Sequence, residues 1–384
     1  MHTLALLATI TVAPGPSAQE RLQAALIEAA PGDTVRLAPG RFELTDGLSL
    51  DVARVTVRGA GRDATVLSFR NQKGAGEGLL VTSDDVVLRD FAVEDTKGDG
   101  IKSKGADRIV YHNLRVEWTG GPKETNGAYG IYPVSSTDVL VDRVLVRGAS
   151  DAGIYVGPSK NIVVRQSVAE RNVAGIEIEN SFNADVHGNT ARHNTGGILV
   201  FDLPNLPQMG GHTIRIYDNQ VTDNDTPNFA AKGNIVASVP TGTGVMVMAN
   251  RDVHVFRNVL ENNGSANVML IGYRQPYEDK AYDPTLRFVT VRDNRHGRAG
   301  FAPAFPGGRE LAAALGGTLP PVFWDGTGQA IAVKDPVPTL SLNLPAPNTP
   351  LDRARPALAD FSRAPVPADP PAVKLPASME AAIR

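Results

Sequence analysis

The chain contains no cysteine among its 384 residues. Disulfide bonds, thiolate metal sites and cysteine nucleophiles are therefore excluded. Aromatic residues make up only 6% of the sequence, and the formal net charge is −3, so neither sign of charge dominates. Because Lys and Arg also form no cluster along the chain, the composition speaks against a nucleic-acid-binding protein.

Long hydrophobic segments are lacking as well, so no membrane-spanning segment is predicted. The most apolar stretch near the N-terminus, residues 4–10, has the length of the central region of a signal peptide. We therefore predict a signal peptide at residues 1–18 and a mature protein that is periplasmic or secreted.

What the sequence does contain is a repeated phrase, in which glycine precedes alternating aliphatic residues. Its copies are mostly 22 or 23 residues apart and begin at Gly78, Gly100, Gly130, Gly153, Gly175, Gly197, Gly244 and Asn267. Three short strands and three turns need about this many residues per coil, and a fixed period of this size is typical of a solenoid. The sequence thus predicts an all-β solenoid of stacked parallel strands over residues 19–333.

Asparagine recurs with the same period. One series is Asn189, Asn219, Asn258 and Asn294, and a second is Asn172, Asn194, Asn224 and Asn262. Asparagine tolerates the left-handed backbone of a tight turn, and stacked copies can form amide ladders. We interpret both series as structural.

The two ends of the predicted solenoid differ from its coils. Residues 19–30 carry an apolar stripe at Leu22, Ala25, Leu26 and Ala29, which predicts a short N-terminal capping helix over the first coil. Residues 334–384 contain 11 prolines and no repeat phrase. This segment is predicted to be an extended tail that either lies along the solenoid or is disordered.

Several motifs carry a resemblance to a known fold family. The turn at residues 32–40 and the Val-Thr-Val-Arg-Gly-Ala-Gly stretch at 55–61 resemble the start of pectin-lyase-like proteins. Residues 175–204 are similar to a bacterial exported β-helix-repeat family without a settled activity. The resemblance implies a right-handed parallel β-helix, a fold that hosts lyases, hydrolases, epimerases and non-catalytic proteins.

Strand alternation predicts which side chains face outward. If Ile176 and Ile178 point into the core, Glu177 and Glu179 must point out. The same positions in neighbouring coils form two outward columns, which contain Lys102, Lys104, Tyr132, Tyr155, Phe201 and Met246. Insertions at residues 119–128, 202–212 and 226–242 are predicted to form the walls of a groove above these columns.

The groove suggests an exported carbohydrate-active protein that acts on an acidic polysaccharide by lyase or epimerase chemistry. Lys102, Lys104 and Tyr155 are then the catalytic candidates, since such reactions offset the uronate charge and move a proton. The candidate substrate contacts are Tyr132, Phe201, His212 and Met246.

A calcium ion is a further expectation. One alginate-lyase branch of the resembled superfamily binds calcium through a Glu-x-Glu pair, and Glu177 and Glu179 have that spacing, without the branch's following lysine. With Asp202 they make the predicted metal ligands, because calcium prefers oxygen donors.

Other interpretations stay open at this point. The chain could be a monomeric, non-catalytic exported scaffold that binds a glycan or a partner protein through the same strip. A hydrolase is a third possibility, since alternate residues of one strand lie about 6.6 Å apart, within the range of about 6.5–9.5 Å for inverting carboxylates. Alternatively, the charges are merely solvated and the loops pack down on the apolar residues.

Overall fold

The computed structural model describes residues 7–74 and 76–384. Its strands are numbered β1 to β34 along the chain, and nearly all of them belong to three long parallel sheets. Each coil adds one strand to the first sheet, then one to the second and one to the third. This is the right-handed parallel β-helix predicted from the repeat.

The three sheets stack the coils in register. The first sheet contains β1 (Thr9–Val12), β2 (Thr34–Leu37), β5 (Thr56–Arg58), β8 (Val87–Arg89), β11 (Ile109–His112), β14 (Thr137–Asp142), β17 (Lys160–Arg165), β20 (Phe182–His187), β23 (His212–Tyr217), β26 (Arg251–Phe256), β29 (Arg287–Arg292) and β32 (Gln329–Val333). The second sheet contains β3 (Gly40–Glu43), β6 (Thr65–Ser68), β9 (Ala92–Glu94), β12 (Arg115–Glu117), β15 (Leu145–Arg147), β18 (Val168–Glu170), β21 (Thr190–Arg192), β24 (Gln220–Thr222), β27 (Val259–Glu261) and β30 (Arg295–His296). The third sheet contains β4 (Leu48–Leu50), β7 (Leu79–Val81), β10 (Ile101–Lys104), β13 (Tyr129–Val134), β16 (Ala152–Val156), β19 (Ala174–Glu179), β22 (Gly196–Phe201), β25 (Thr243–Met248), β28 (Ala266–Ile271), β31 (Val322–Trp324), β33 (Thr339–Ser341) and the antiparallel β34 (Ala357–Leu358).

The core is a column of aliphatic side chains inside the coils. Ile131, Ile154, Ile176, Ile198 and Val245 are partners in successive strands of the third sheet, and each is fully buried. Alternation within a strand places them on the inner face. The predicted inward column is therefore confirmed.

Asparagine ladders line two of the turns, as predicted. In the first ladder, the side-chain amide of Asn189 donates to Asn219, that of Asn219 to Asn258, and that of Asn258 to Asn294, over 2.9–3.0 Å. In the second ladder, the bond from Asn224 goes to Asn263, not to the predicted Asn262.

The left-handed backbone lies beside the ladders and not in them. Asn262, which precedes the ladder residue Asn263, has a φ of 56°. The residues before the other ladder positions also have positive φ, such as Asp218 at 55°. In each turn, one residue adopts the left-handed backbone and the next residue forms the amide ladder.

Helix α1 (Ala18–Glu28) covers the first coil and buries Leu22, Ala25 and Leu26, as its apolar stripe predicts. Before it, β1 pairs with β2, and Val12 is buried. The predicted signal peptide therefore overlaps the first strand of the solenoid, and its residues 1–6 lie outside the described residues. Export stays a prediction.

The proline-rich segment lies along the solenoid, which was one of the two expectations for it. The coils also extend beyond the predicted boundary at residue 333, because β33 pairs with β31 in the third sheet. The chain then crosses the first sheet to α3 (Ala377–Ala381), where buried Met379 packs against Val163. Glu380 bonds to Arg165 at 2.8 Å, so these contacts hold the end of the segment in place.

The remaining helical elements are short. They are α2 (Gly308–Ala314) and the 3₁₀ turns Ile235–Ser238 and Leu351–Arg353. Among the described residues, no helix combines the length and apolar character needed to cross a bilayer.

Candidate functional site

The outer face of the third sheet carries the predicted columns. Lys102 is the register partner of Tyr132, and Tyr155 is the partner of Glu177. Glu179 is the partner of Phe201 in the next coil. Ile176 and Ile178 belong to the core, whereas Tyr155 and Phe201 belong to a separate apolar cluster, which confirms the outward direction inferred from alternation.

The predicted open groove is wrong over the central coils. Tyr155, Glu177, Glu179 and Asp202 are only 5%, 1%, 7% and 1% exposed. Residues 226–242, named here the cover segment, pack over this face, where Val236 and Val239 share an apolar cluster with Tyr155, Leu199 and Phe201. The apolar half of the face drives this packing, because its exposure to water is unfavourable. Asp202 is enclosed instead by its own loop and by Tyr282, whose hydroxyl donates to the Asp202 carbonyl.

Under the cover lies a group of carboxyl groups named here the acid cluster: Asp151, Glu177 and Glu179. The hydroxyl of Tyr155 donates to Oε1 of Glu179 at 2.6 Å, and the amide of Asn234 in the cover segment donates to Asp151 at 3.0 Å. Oε2 of Glu177 is buried and has no hydrogen-bond partner within residues 7–74 and 76–384.

Burial shifts the protonation of the acid cluster. It raises the pKa of Asp151 to about 7 and that of Glu179 to about 7, and it raises the pKa of Glu177 well above its usual range. Repulsion from the neighbouring carboxylates adds to the shifts of Asp151 and Glu177. At mildly acidic pH these groups are therefore neutral acids, the form that a dry site favours.

At the edge of the cover, Lys102 joins a more accessible group of side chains, named here the edge site: Glu77, Asp99, Lys102 and Tyr132. Nζ of Lys102 lies 3.0 Å from Glu77 and 3.7 Å from Asp99. It also lies 4.7 Å from the centre of the Tyr132 ring, a cation–π contact. Side-chain exposure is 22% for Lys102 and 29% for Glu77, so a ligand can reach them.

The two carboxyl groups of the edge site have opposite pKa shifts. Burial raises the pKa of Asp99 to about 6 against the attraction of Lys102. Burial also acts upward on Glu77, but hydrogen bonds from its own backbone N–H and from Lys102 outweigh it, and its pKa is lowered. An acid and a base of this kind, on two sides of one lysine, can transfer protons near neutral pH.

Three tyrosines link the edge site to the acid cluster. The ring centres of Tyr129 and Tyr132 are 4.6 Å apart, and those of Tyr129 and Tyr155 are 4.3 Å apart. Burial, together with the nearby Glu179 carboxylate, raises the pKa of Tyr155. Because Tyr155 stays protonated and its hydroxyl donates a hydrogen bond to Glu179, Tyr155 is poorly suited to act as a base.

The other predicted site residues are dispersed. Lys104 is exposed at the end of β10, and Phe201 and Met246 are buried on the apolar half of the face. His212 was placed beside the groove, which is wrong: it begins β23 in the first sheet and stacks on Phe182 with ring centres 4.5 Å apart. The insertion ends before His212, so His212 belongs to β23 in the first sheet and not to the third sheet, where the groove was predicted.

The predicted metal ligands do not form a coordination set. Asp202 accepts the backbone N–H of Gly211 at 2.7 Å, which ties the ends of its own loop together. Across the described ranges 7–74 and 76–384, no three His, Asp or Glu side chains are grouped so as to hold a metal ion. Calcium binding by Glu177 and Glu179 stays a prediction, which the effect of calcium on the melting temperature tests.

Sequence reasoning missed Glu77, Asp99 and Tyr129, although a signal for them exists. Each directly precedes the glycine of a repeat phrase, at Gly78, Gly100 and Gly130. Positions with the same offset in successive coils stack, and the backbone N–H of Gly100 indeed bonds to the carbonyl of Tyr129. Ionisable residues at this offset occur only in the N-terminal coils, whereas the later coils have Ala152, Ala174, Gly196, Thr243 and Ala266.

Replacing Tyr155 with Phe should destabilise the protein, because the buried Glu179 would lose its hydrogen-bond donor. An unsatisfied buried polar group costs about 1–3 kcal/mol. From strand alternation alone, Tyr155 would be expected to carry an exposed hydroxyl, whose loss changes stability by less than about 0.5 kcal/mol; the burial of Tyr155 raises the expected cost. Urea unfolding at pH 6 measures the difference, with Tyr277→Phe as the control because Tyr277 is 38% exposed. Equal stability of the Tyr155→Phe variant and the parent would contradict the burial of this pair.

Comparison with known proteins supports the fold. The family model described as a right handed beta helix region matches residues 55–205. Comparison with curated proteins by sequence gives no match.

Solved structures give a wider match. The A-module of mannuronan C-5 epimerase AlgE4 from Azotobacter vinelandii is 18% identical with a TM-score of 0.56, covering 85% of this chain and 86% of that one. DFA-IIIase from Arthrobacter chlorophenolicus A6, without its lid and in complex with GF2, is 12% identical with a TM-score of 0.55, covering 87% of this chain and 93% of that one. At these identities the likeness concerns the fold alone.

Proposed function

We propose that this right-handed β-helix is a carbohydrate-active protein that acts on a polysaccharide at the edge site. The observation that carries the proposal is the position of Lys102, between the carboxyl groups of Glu77 and Asp99 and against the ring of Tyr132. It combines a positive charge, an acid, a base and an aromatic surface, and tyrosine rings offer sugars a flat apolar face with a polar tip.

Two structural neighbours support a carbohydrate as ligand. One is named as an epimerase of mannuronan, and the other was determined in complex with GF2. At 18% and 12% identity the likeness concerns the fold alone, so the substrate has to be inferred from the side chains of this chain. Activity outside the cytoplasm is part of the proposal, and fractionation of cells that produce the protein tests it.

The finer proposal is lyase or epimerase chemistry on a uronic-acid polymer. The Lys102 ammonium would offset the uronate carboxylate, and the ionised Glu77 would accept the proton from the adjacent carbon. For elimination, protonated Asp99 would donate its proton to the departing glycosidic oxygen. For epimerisation, an acid on the opposite face of the sugar would return the proton to carbon. Glu77 thereby takes the role that the sequence suggested for Tyr155.

A hydrolase is the second candidate, favoured by the opposite pKa shifts of Asp99 and Glu77. Asp99 would protonate the leaving oxygen, and Glu77 would activate water. This pair replaces the Glu177 and Glu179 pair considered from the sequence, because both of those groups are buried. A scaffold that only binds glycan would use the same surface without turnover.

Replacing Asp99 with Asn, or Lys102 with Met, should lower turnover by roughly 100-fold or more, the usual range for loss of a positioned acid or base. The assay incubates the protein with uronic-acid polymers and neutral glycans. A lyase produces ultraviolet absorbance from unsaturated ends, a hydrolase produces reducing ends without it, and an epimerase changes the proton spectrum of the polymer.

The matched control is Lys123→Met, which removes an exposed lysine from the 119–128 insertion. It should retain the activity of the parent. Binding of a glycan without any product would overturn the enzymatic proposal in favour of the scaffold. If neither binding nor turnover occurs with any polymer, the proposal of a carbohydrate ligand fails.

A further inference from the structure

A cavity of about 390 Å³ lies on the third sheet, C-terminal to the acid cluster. Its floor consists of apolar side chains from four successive strands: Phe201 of β22, Met246 and Met248 of β25, Met269 and Ile271 of β28, and Phe323 of β31. Its walls come from the cover segment near Val239, from residues 305–311 and from residues 351–356.

The cavity is covered but not filled. Met246, Met269 and Phe323 are 3%, 3% and 5% exposed, so they are withdrawn from bulk solvent. Protein interiors contain few voids larger than a water molecule, whereas ligand pockets typically measure about 300–1,000 Å³. Methionine side chains are flexible and adapt to apolar ligands of different shape. The cavity reaches the surface at Ser238, Gly307 and Leu351, which are exposed and leave a route of entry.

Two charged groups, Arg274 and Asp325, lie in this apolar lining. Arg274 donates from Nη2 to the carbonyl of Thr349 at 2.7 Å. Its Nη1 is buried and lacks a hydrogen-bond partner in the part of the chain that the structure describes, residues 7–74 and 76–384. A buried charged donor without an acceptor is costly and is rare in native proteins.

The nearby carboxylate does not satisfy Arg274. Asp325 also lines the cavity, but its Oδ1 accepts the N–H and the hydroxyl of Thr327 at 2.8 Å, and its Oδ2 accepts the N–H of Gly272 at 2.7 Å. Among the described residues Nη1 of Arg274 has no hydrogen-bond partner, and Arg274 acts on Asp325 only through its charge, which opposes the rise of the Asp325 pKa caused by burial. A ligand in the cavity can therefore supply the acceptor for Nη1.

We propose that this cavity binds an amphipathic anion, with an aliphatic body against the methionine and phenylalanine floor and an acidic head group on Nη1 of Arg274. The head group is a carboxylate or a phosphate, which share the acceptor oxygens that a guanidinium group prefers. This site is separate from the edge site and does not depend on its activity.

Decanoate and decanol test the proposal on the full chain, by isothermal titration calorimetry below the concentrations at which they aggregate. The parent protein should bind decanoate saturably at one site and more tightly than decanol by about tenfold or more, the ratio for a hydrogen bond to a charged group. Arg274→Leu should remove this preference and retain decanol binding. Decyl phosphate in place of decanoate shows which head group is preferred.

Ala354→Trp is the second variant. Ala354 lines the cavity but is partly exposed, so a tryptophan there can fill the space without disturbing the coils. It should abolish binding of both ligands at an unchanged melting temperature. Phe288→Ala, which removes a 52% exposed aromatic side chain from the first sheet, controls for nonspecific adsorption and should bind like the parent. Equal affinity of the parent for decanoate and decanol would overturn the anion site, and binding that survives Ala354→Trp would overturn the cavity as its location.

Discussion

Replacing Ile176 with Asp is expected to prevent the chain from folding. Ile176 is fully buried in the core and pairs with Ile154 on one side and Ile198 on the other. The substitution removes about 1.5–3 kcal/mol of apolar burial. It also places a carboxyl group where no partner is available, which costs several kcal/mol more whether the group is charged or protonated. Natural domains have only about 5–15 kcal/mol of net stability.

Circular dichroism and size-exclusion chromatography of the purified variant measure this outcome. Ile176→Val is the conservative control, and it should fold with a loss of about 0.5–1.5 kcal/mol. Lys104→Asp introduces the same carboxylate at an exposed, outward position of the same sheet and should also fold. A soluble Ile176→Asp variant that unfolds cooperatively near the parent's melting temperature would contradict the inward column.

The contribution of the acid cluster to stability should fall as the pH rises from about 4 to about 7. The folded-state pKa values of Asp151 and Glu179 are about 7, above the value of about 4 for an unfolded chain. Between these values the unfolded chain releases protons that the folded protein retains. The stabilising contribution is therefore complete below pH 4 and is lost as the pH rises through 7. Each pKa unit of difference corresponds to about 1.4 kcal/mol.

Histidines act in the opposite direction, so the readout is a difference between proteins. Burial lowers the pKa of His187 and His212, which adds stability as the pH rises through about 6.5. Glu177→Gln keeps the shape of the side chain but cannot ionise. We expect its melting temperature to exceed that of the parent at pH 8 and to depend less on pH. Glu20→Gln on the exposed face of α1 should follow the parent. Parallel curves for Glu177→Gln and the parent would show that the acid cluster does not titrate as a buried group.

The same variants decide between a proton and a calcium ion in the acid cluster. A calcium ion held by Glu177 and Glu179 would raise the melting temperature at pH 8 in millimolar calcium chloride, since it binds the native state. The double variant Glu177→Gln, Glu179→Gln would lose that rise. If calcium does not change the melting curve of the parent, protonation and not calcium neutralises the carboxylates of the acid cluster.

The sequence by itself determined the coil and the direction of its side chains. The spacing of the repeated motif gives the 22- to 23-residue period of the coil. The inward column through Ile176 and the outward position of Glu177 follow from strand alternation, which is a local property of the backbone. The helix α1 was predictable for a similar reason, because its apolar stripe is complete within eleven residues. Once the sequence specifies one coil, similar coils stack on it, because each coil of a solenoid contacts only its neighbours.

Only the tertiary structure decided what covers the outer face and which polar groups meet there. Asn234 reaches Asp151 across 83 residues, and Arg165 meets Glu380 across 215 residues. The path of an irregular segment depends on the apolar surface available to it and has no period in the sequence that could reveal it. The outward positions of Glu177, Glu179 and Lys102 were therefore predictable. Not predictable were the burial of the glutamates under the cover segment, the raised pKa values that follow from it and the contacts of Lys102 with Glu77 and Asp99.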